Sequence, residues 1–110
     1  MIQRLRGIAV LAGLVWAAGL AFPALVQQPL VEKFVLSDTI QPVSAGELDR
    51  AIAKANSEGA QALLIELDTP GGLLDSTRGM VGAILASKVP VIVYVAPDGA
   101  RAGSAGFFLL

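Results

Sequence analysis

The chain has 110 residues, 55% of them hydrophobic, and its eight basic and nine acidic residues give a net charge of −1. Both signs are scattered, which argues against an electrostatic nucleic-acid-binding surface. The chain has no cysteine and no histidine, so it contains no disulfide, no thiolate or imidazole metal site and no Ser-His-Asp triad. We therefore expect neither a metal nor a cofactor.

The first 24 residues have the layout of a secretory signal. Arg4 and Arg6 precede an apolar run over residues 8–20, small residues follow, and no acidic residue is present. The run is short for a membrane-spanning helix, which needs about 20 residues, unless it is counted on through Val26. We predict a signal peptide or signal anchor over residues 1–24, a linker over 25–30, and an extracytoplasmic domain, on the periplasmic side, over 31–110.

A strand and a helix are predicted after the linker. Apolar and β-branched residues predict a first strand over Lys33 to Leu36. Ser44, with Glu47 three residues later, is the capping-box pattern of a helix start. Apolar residues at helical spacing follow over 48–55, and Gly59 is the predicted end of this helix.

Two further strands and a second helix complete the predicted order. The run over Ala62 to Leu67 is apolar except for Glu66, which predicts a strand covered on both faces of a parallel sheet. Val91 to Val95 predicts a third strand. Strands alternating with helices imply right-handed crossovers, parallel pairing and an α/β fold. The helix between these two strands would bury a stripe formed by Leu73, Thr77, Met80, Val81, Ile84 and Leu85.

Two glycine-containing loops follow the second and third predicted strands. Loops at the carboxyl ends of parallel strands share one edge of the sheet, where open α/β folds bind ligands, so these loops could face each other across a cleft. Ser104 is a candidate nucleophile at the start of a predicted helix, and the backbone N–H groups of Gly71, Gly72 and Ala105 are candidate oxyanion donors. The alternative is structural: both loops would be ordinary turns, with Ser104 as a helix cap.

Three segments resemble a known family. They are LDTPGGL at 67–73, VPVIVYV at 89–95 and GARAGSAG at 99–106, and their order and spacing resemble the membrane-bound serine proteases of the NfeD family, in the ClpP class. The resemblance runs over residues 34–110. It implies a ClpP/crotonase-like α/β fold with a parallel sheet and βαβ crossovers, and we expect this sheet to be truncated after its third strand. It also implies an extracytoplasmic protease with a Ser-Lys dyad.

The resemblance also assigns roles to residues. Ser104 falls on the family's nucleophile, and Gly71 with Gly72 on its oxyanion-hole glycines, whereas Gly103 stands where the family has alanine. The family's general-base lysine would lie after Leu110. We therefore expect the 110-residue chain to be a fragment that is inactive as it stands.

The lysines and aspartates of the domain do not replace that base. Lys33 and Lys88 belong near the sheet edge opposite Ser104, and Lys54 lies on a solvent-facing helix position. A dyad lysine must be buried to become neutral, and a surface lysine stays charged. Asp68 and Asp75 are interpreted as structural, as a loop carboxylate and a residue in the first turn of a helix.

Three functions are compatible with these residues. The first is a serine endopeptidase that cleaves apolar segments of membrane-associated proteins, including stomatin-like partners, as the resemblance implies. The second is a catalytically inactive peptide-binding or regulatory module of the same fold. The third, crotonase-like acyl-CoA chemistry, is disfavoured by export. The resemblance further implies a homo-oligomer held at the membrane through its N-terminal segment.

Overall fold

The computed structural model describes residues 28–110, so the predicted signal segment and residues 25–27 of the predicted linker lie outside the described residues. Across residues 28–110, no helix has the length and apolar character needed to cross a membrane. The elements in chain order are β1 (Val31–Leu36), α1 (Pro42–Ser57), β2 (Ala62–Leu67), α2 (Leu74–Ala86), β3 (Val91–Val95) and a 3-10 helix (Ser104–Leu109).

The three strands form a parallel sheet in the order β1-β2-β3. This confirms the predicted α/β fold with βαβ crossovers. The bounds of β2 and β3 are those predicted, whereas β1 begins two residues before the predicted start at Lys33. Val31 extends the ladder because it lies opposite Ala62, and Gln61 N–H donates to Leu30 O at 2.8 Å.

The core lies on one face of the sheet. Right-handed crossovers between strands in sequential order place α1 and α2 on the same side, so β2 alternates between buried and half-buried residues. The prediction that β2 is covered on both faces is therefore wrong for the described residues: Leu64 and Glu66 on the second face are only half-buried. The buried face and the helices contribute Leu36, Leu48, Ile52, Ala55, Leu63, Ile65, Leu67 and Met80.

The start of α1 differs from the predicted capping box. The helix begins at Pro42, whose missing N–H is harmless in a first turn, and Gln41 is the N-cap. Ser44 is therefore the third helical residue, and its buried Oγ accepts the Gln41 N–H at 2.9 Å. The serine still caps the helix, but from inside the first turn. The last helical residue of α1 is Ser57, and Glu58 is its C-cap. Gly59 follows the cap with a φ of 63°, which confirms it as the residue that stops the helix.

Only part of the predicted stripe of α2 is buried. Thr77 and Met80 are buried, Val81 and Ile84 are half-buried, and Leu73 and Leu85 are exposed. Leu73 precedes the helix as its N-cap. The stripe is narrower than predicted because α2 packs on α1 and on the 3-10 helix from one side. Leu85, at 81% exposure, contributes nothing to the core.

Candidate active site

The loops that follow β2 and β3 are joined by backbone hydrogen bonds. Thr69 N–H donates to Arg101 O at 2.7 Å, and Gly103 N–H donates to Thr69 O at 2.8 Å. Asp68 adds a side-chain contact, since its Oδ1 accepts the Arg101 N–H at 3.2 Å. The two loops therefore meet at the carboxyl edge of the sheet, as their positions in the sequence predict.

Gly71 lies directly against Ser104. A Cβ atom added to Gly71 would lie 2.8 Å from the Ser104 Cβ and 2.9 Å from the Gly103 carbonyl oxygen. Gly71 also has a φ of 110°, a backbone conformation that only glycine adopts readily. Both the close approach and the backbone angle require glycine at position 71. Because Gly71 and Ser104 are in contact, the cleft predicted between the two loops is closed at this point.

Ser104 combines an unusual backbone angle with an unbonded side chain. Its φ is 50°, in the left-handed region, which costs a residue with a side chain about 1 to 3 kcal/mol when the surroundings impose it. The residue is exposed, and its Oγ forms no hydrogen bond with any residue of the 28–110 segment. Strain of this kind is concentrated at functional sites.

The three candidate oxyanion amides are not equivalent. Gly71 N–H donates to Thr69 Oγ1 at 3.2 Å and is therefore occupied. The amides of Gly72 and Ala105 have no acceptor among the described residues. Gly72 is exposed, whereas Ala105 is buried at the start of the 3-10 helix. The helix that Ser104 begins is a six-residue 3-10 helix, so its dipole is smaller than that of a full α-helix.

The lysines of the domain are engaged elsewhere or exposed. Lys33 forms an ion pair with Glu66, and Lys54 with Glu32 at 2.7 Å. These carboxylates raise the pKa of both lysines above the ordinary value of 10.5, since they stabilise the charged form. Lys88 is exposed just before β3. None of the three hydrogen-bonds Ser104 within residues 28–110, and the raised pKa values of Lys33 and Lys54 are opposite to what a neutral base needs.

The two aspartates occupy structural positions. Asp68 holds the serine loop through Arg101 N–H, and Asp75 is exposed in the first turn of α2, 3.9 Å from Arg78 Nη1. In the described part of the chain, no three carboxylates are grouped so that they could hold a metal ion.

A cavity of about 420 Å³ opens between α2 and the 3-10 helix. Its walls are mainly apolar, with one guanidinium at the rim; the lining residues are Leu74, Thr77, Arg78, Val81 and Phe108. The sequence pattern does not indicate this cavity, because apolar residues at helical spacing predict a helix face packed on the core. Nor does the pattern give a role to Thr69, although this residue stands within the LDTPGGL segment.

Comparison with known proteins shows the family to which this chain belongs. A family model described as the N-terminal domain of NfeD1b matches residues 31–110. The chain belongs to the NfeD1b family. This chain is 49% identical over 63 residues to the membrane-bound protease PH1510 of Pyrococcus horikoshii, an alignment that covers 57% of the chain and 14% of that protein. It is 30% identical over 91 residues to the membrane protein NfeD1b of Bacillus subtilis, covering 83% of the chain and 20% of that protein.

Two solved protease structures are similar to this chain. A membrane-bound stomatin-specific protease, in a serine-to-alanine variant, superposes on this chain with a TM-score of 0.74 at 38% identity, covering 76% of this chain and 41% of that one. The ClpP1 protease of Listeria monocytogenes has a TM-score of 0.65 at 17% identity, covering 71% of this chain and 44% of that one, which shows the ClpP-like fold. The chain thus spans less than half the length of these proteins.

Proposed function

We propose that this domain is the nucleophile-bearing part of a serine endopeptidase. The observation that carries the proposal is Ser104, an exposed serine with an unbonded hydroxyl in a strained left-handed conformation. It lies against the glycine turn of Gly71 at the carboxyl edge of a parallel sheet. The family resemblance and the protease relatives support this assignment.

The proposed reaction begins with Ser104. Its Oγ attacks a peptide carbonyl carbon, and the negative oxygen of the tetrahedral intermediate accepts hydrogen bonds from backbone amides. Gly72 and Ala105 are the first candidates, because their N–H groups have no acceptor within residues 28–110. Gly71 contributes shape instead, since its N–H is held by Thr69. The base that takes the Ser104 hydroxyl proton passes it to the leaving amine as the intermediate collapses, which leaves an acyl ester on Ser104. Water then hydrolyses this ester, releases the peptide acid and restores the Ser104 hydroxyl.

The hydroxyl proton needs a base, and we propose that this base lies outside residues 28–110. Lys33 and Lys54 are paired with carboxylates, which favour their charged forms. We propose a Ser-Lys dyad whose lysine is provided from outside this segment. The solved relatives include a serine variant and a lysine variant of the same stomatin-specific protease, which supports a dyad of these two residue types.

The test is cleavage of an apolar peptide by the natural protein that contains this sequence, followed by mass spectrometry of the fragments. Ser104→Ala should lower kcat at least about a hundredfold, since loss of a nucleophile costs more than loss of one oxyanion donor. Ser57→Ala is the matched control, because Ser57 is exposed at the end of α1, towards the opposite edge of the sheet. Equal cleavage by wild type and Ser104→Ala would refute the assignment.

A second candidate is a peptide-binding module without catalysis. It is favoured by the absence of a suitable lysine within residues 28–110, and the lysine variant of the stomatin-specific protease was solved in complex with a substrate peptide. Binding of an apolar peptide that survives Ser104→Ala, with no cleavage by the natural protein, would support this candidate. Failure to bind any apolar peptide would exclude it.

The substrate and location are proposed from the relatives. The protease relative is named as specific for stomatin, so we propose a stomatin-like membrane protein as substrate. Both curated relatives are named as membrane proteins, and we propose that residues 1–24 attach this chain to the membrane with its domain on the extracytoplasmic side. A homo-oligomer is proposed from the ClpP-class resemblance. Flotation of the natural protein with membranes, lost when residues 1–24 are removed, tests the attachment.

A further inference from the structure

Thr69 lies at the centre of the candidate site, although no contact with substrate is assigned to it. It is fully buried, and its backbone bonds to Arg101 O and Gly103 N–H hold the strand side of the serine loop. Its side chain then makes two different contacts, one through the hydroxyl and one through the methyl group. The hydroxyl contacts the glycine turn of its own loop and the methyl contacts the 3-10 helix, so this single residue sets the distance between the turn and the helix.

The hydroxyl of Thr69 is directed at the glycine turn. Oγ1 accepts the Gly71 N–H at 3.2 Å and donates to the Gly71 carbonyl at 3.3 Å. A hydroxyl can serve as both donor and acceptor, so it satisfies the buried Gly71 N–H and adds a second donor to a carbonyl that also accepts the Ile40 N–H at 2.8 Å. The contact occupies the Gly71 N–H, whereas the next amide, that of Gly72, has no protein acceptor in the described segment.

The methyl group of Thr69 is directed at the 3-10 helix. A Cβ atom added to Gly106 would lie 2.4 Å from the Thr69 Cγ2, far inside van der Waals contact, and its next neighbours would be 3.9 Å away. The Thr69 methyl therefore packs against Gly106 in the space that a side chain at position 106 would occupy. Gly106 follows Ser104 by two residues, so this contact fixes how closely the serine turn approaches the glycine turn.

We propose that Thr69 is a positioning residue of the active site. Its hydroxyl orients the Gly71-Gly72 turn so that only the second amide is available to an oxyanion, and its methyl sets the depth of the helix that carries Ser104 and Ala105. This inference rests on the proposed function for its catalytic meaning. Its structural content, two contacts made by one side chain, is testable without any cleavage.

Amide hydrogen exchange in the natural protein tests the hydroxyl contact. Gly71 N–H should exchange slowly in wild type and in Thr69→Ser, which keeps the hydroxyl, and at least about tenfold faster in Thr69→Val, which has a similar shape without it. The Gly72 amide should exchange at the same rate in all three proteins. Equal protection of Gly71 in Thr69→Val and Thr69→Ser would overturn the proposal.

A double-mutant cycle tests the methyl contact, and it remains informative if Thr69→Val does not fold. Gly106→Ala should lower Tm by roughly 5 to 20 °C, because the new methyl overlaps Thr69 Cγ2. Adding Thr69→Ser removes that atom, so the double variant should recover most of this loss relative to Thr69→Ser alone. A double variant no more stable than Gly106→Ala would contradict the contact.

Kinetics separate positioning from mere stability, at a temperature well below each Tm. Thr69→Val should lower kcat at least about tenfold with KM changed less than about twofold, and Thr69→Ser, which keeps the hydroxyl but lacks the methyl, should lose less kcat than Thr69→Val. Unchanged kcat in Thr69→Val would overturn the positioning role. If wild type cleaves nothing, the proposed function fails, but exchange and the stability cycle still decide whether Thr69 makes both contacts.

Discussion

At the residue scale, the backbone of Ser104 supplies a test that does not depend on activity. A φ of 50° disfavours any residue with a Cβ by about 1 to 2 kcal/mol relative to glycine. Ser104→Ala and Ser104→Gly both remove the hydroxyl, but only glycine relieves the strain. We expect Ser104→Gly to be more stable than Ser104→Ala by about 1 kcal/mol after the greater unfolded-state entropy of glycine is included. Urea unfolding of the two variants measures this difference, and a more stable Ser104→Ala would contradict the strain.

Gly72 supplies a second prediction at the same scale. A Cβ added there would lie 2.0 Å from the Ile40 carbonyl oxygen, and backbone atoms cannot turn aside as a flexible side chain can. Gly72→Ala should therefore lower the free energy of unfolding by about 1 to 3 kcal/mol or more. Gly79 is the control, because beyond its chain neighbours and its own helix backbone no atom lies within 4 Å of its added Cβ.

The control variant, Gly79→Ala, should raise the stability of the fold, whereas Gly72→Ala should lower it. Gly79 lies inside α2, and alanine stabilises a helix interior by roughly 0.5 to 1 kcal/mol relative to glycine. Thermal unfolding of the two variants compares them directly. A loss of stability in both, of similar size, would contradict the close approach of Gly72 to Ile40.

At the element scale, Asn56 links the end of α1 to the turn between α2 and β3. Its Oδ1 accepts the amides of Lys88 and Val89, each at 3.2 Å, and the Ser87 hydroxyl at 3.4 Å. Asn56→Ala should lower the free energy of unfolding by about 1 to 3 kcal/mol, because these donors lose their acceptor. Asn56→Asp keeps the acceptor and should lose much less. Chemical unfolding that finds the two variants equal would refute the link.

The second face of the sheet carries a pH-dependent contact. The ion pair with Lys33, assisted by the Tyr94 hydroxyl at 3.2 Å, lowers the pKa of Glu66 below its ordinary value of 4.5. A lowered folded-state pKa means that the contact stabilises the fold above the unfolded-state pKa and is lost as the pH falls through the folded-state value. Wild type should therefore exceed Glu66→Gln in stability near pH 7, and the difference should shrink below about pH 4.5. Thermal unfolding of both proteins across roughly pH 3 to 7 checks this; a constant difference would contradict it.

Element order and type were predictable because hydrophobic periodicity and turn residues specify them locally. β2 and β3 have the predicted bounds, and the segments around Gly71 and Ser104 meet as parallel topology requires. What could not be predicted depends on tertiary contacts. Gln41 caps α1 because Ser44 is turned inward, and nothing in the local sequence shows that the Gly71 N–H is already bonded to Thr69.

At the scale of the whole molecule, the sheet leaves one face without helices in the described segment. Val35 and Ile92 on that face are 52% and 51% exposed, and exposed apolar surface of this kind marks interaction sites. We expect the detergent-solubilised chain to self-associate through this face, in line with the proposed homo-oligomer. Ile92→Lys should shift sedimentation velocity profiles towards the monomer. Leu85→Lys, the same change on the exposed side of α2, is the control, and an equal shift in both would contradict the assignment to the sheet.

The contact between Thr69 and Gly106 also has an evolutionary consequence. The methyl group at position 69 fills the volume that a side chain at position 106 would need, so position 106 is not free to vary while threonine stands at 69. A lineage can acquire alanine at 106 only after serine has replaced threonine at 69, because the reverse order passes through an overpacked intermediate. The two positions should therefore change together within the family, and the order of replacement in a reconstructed ancestry should be serine first.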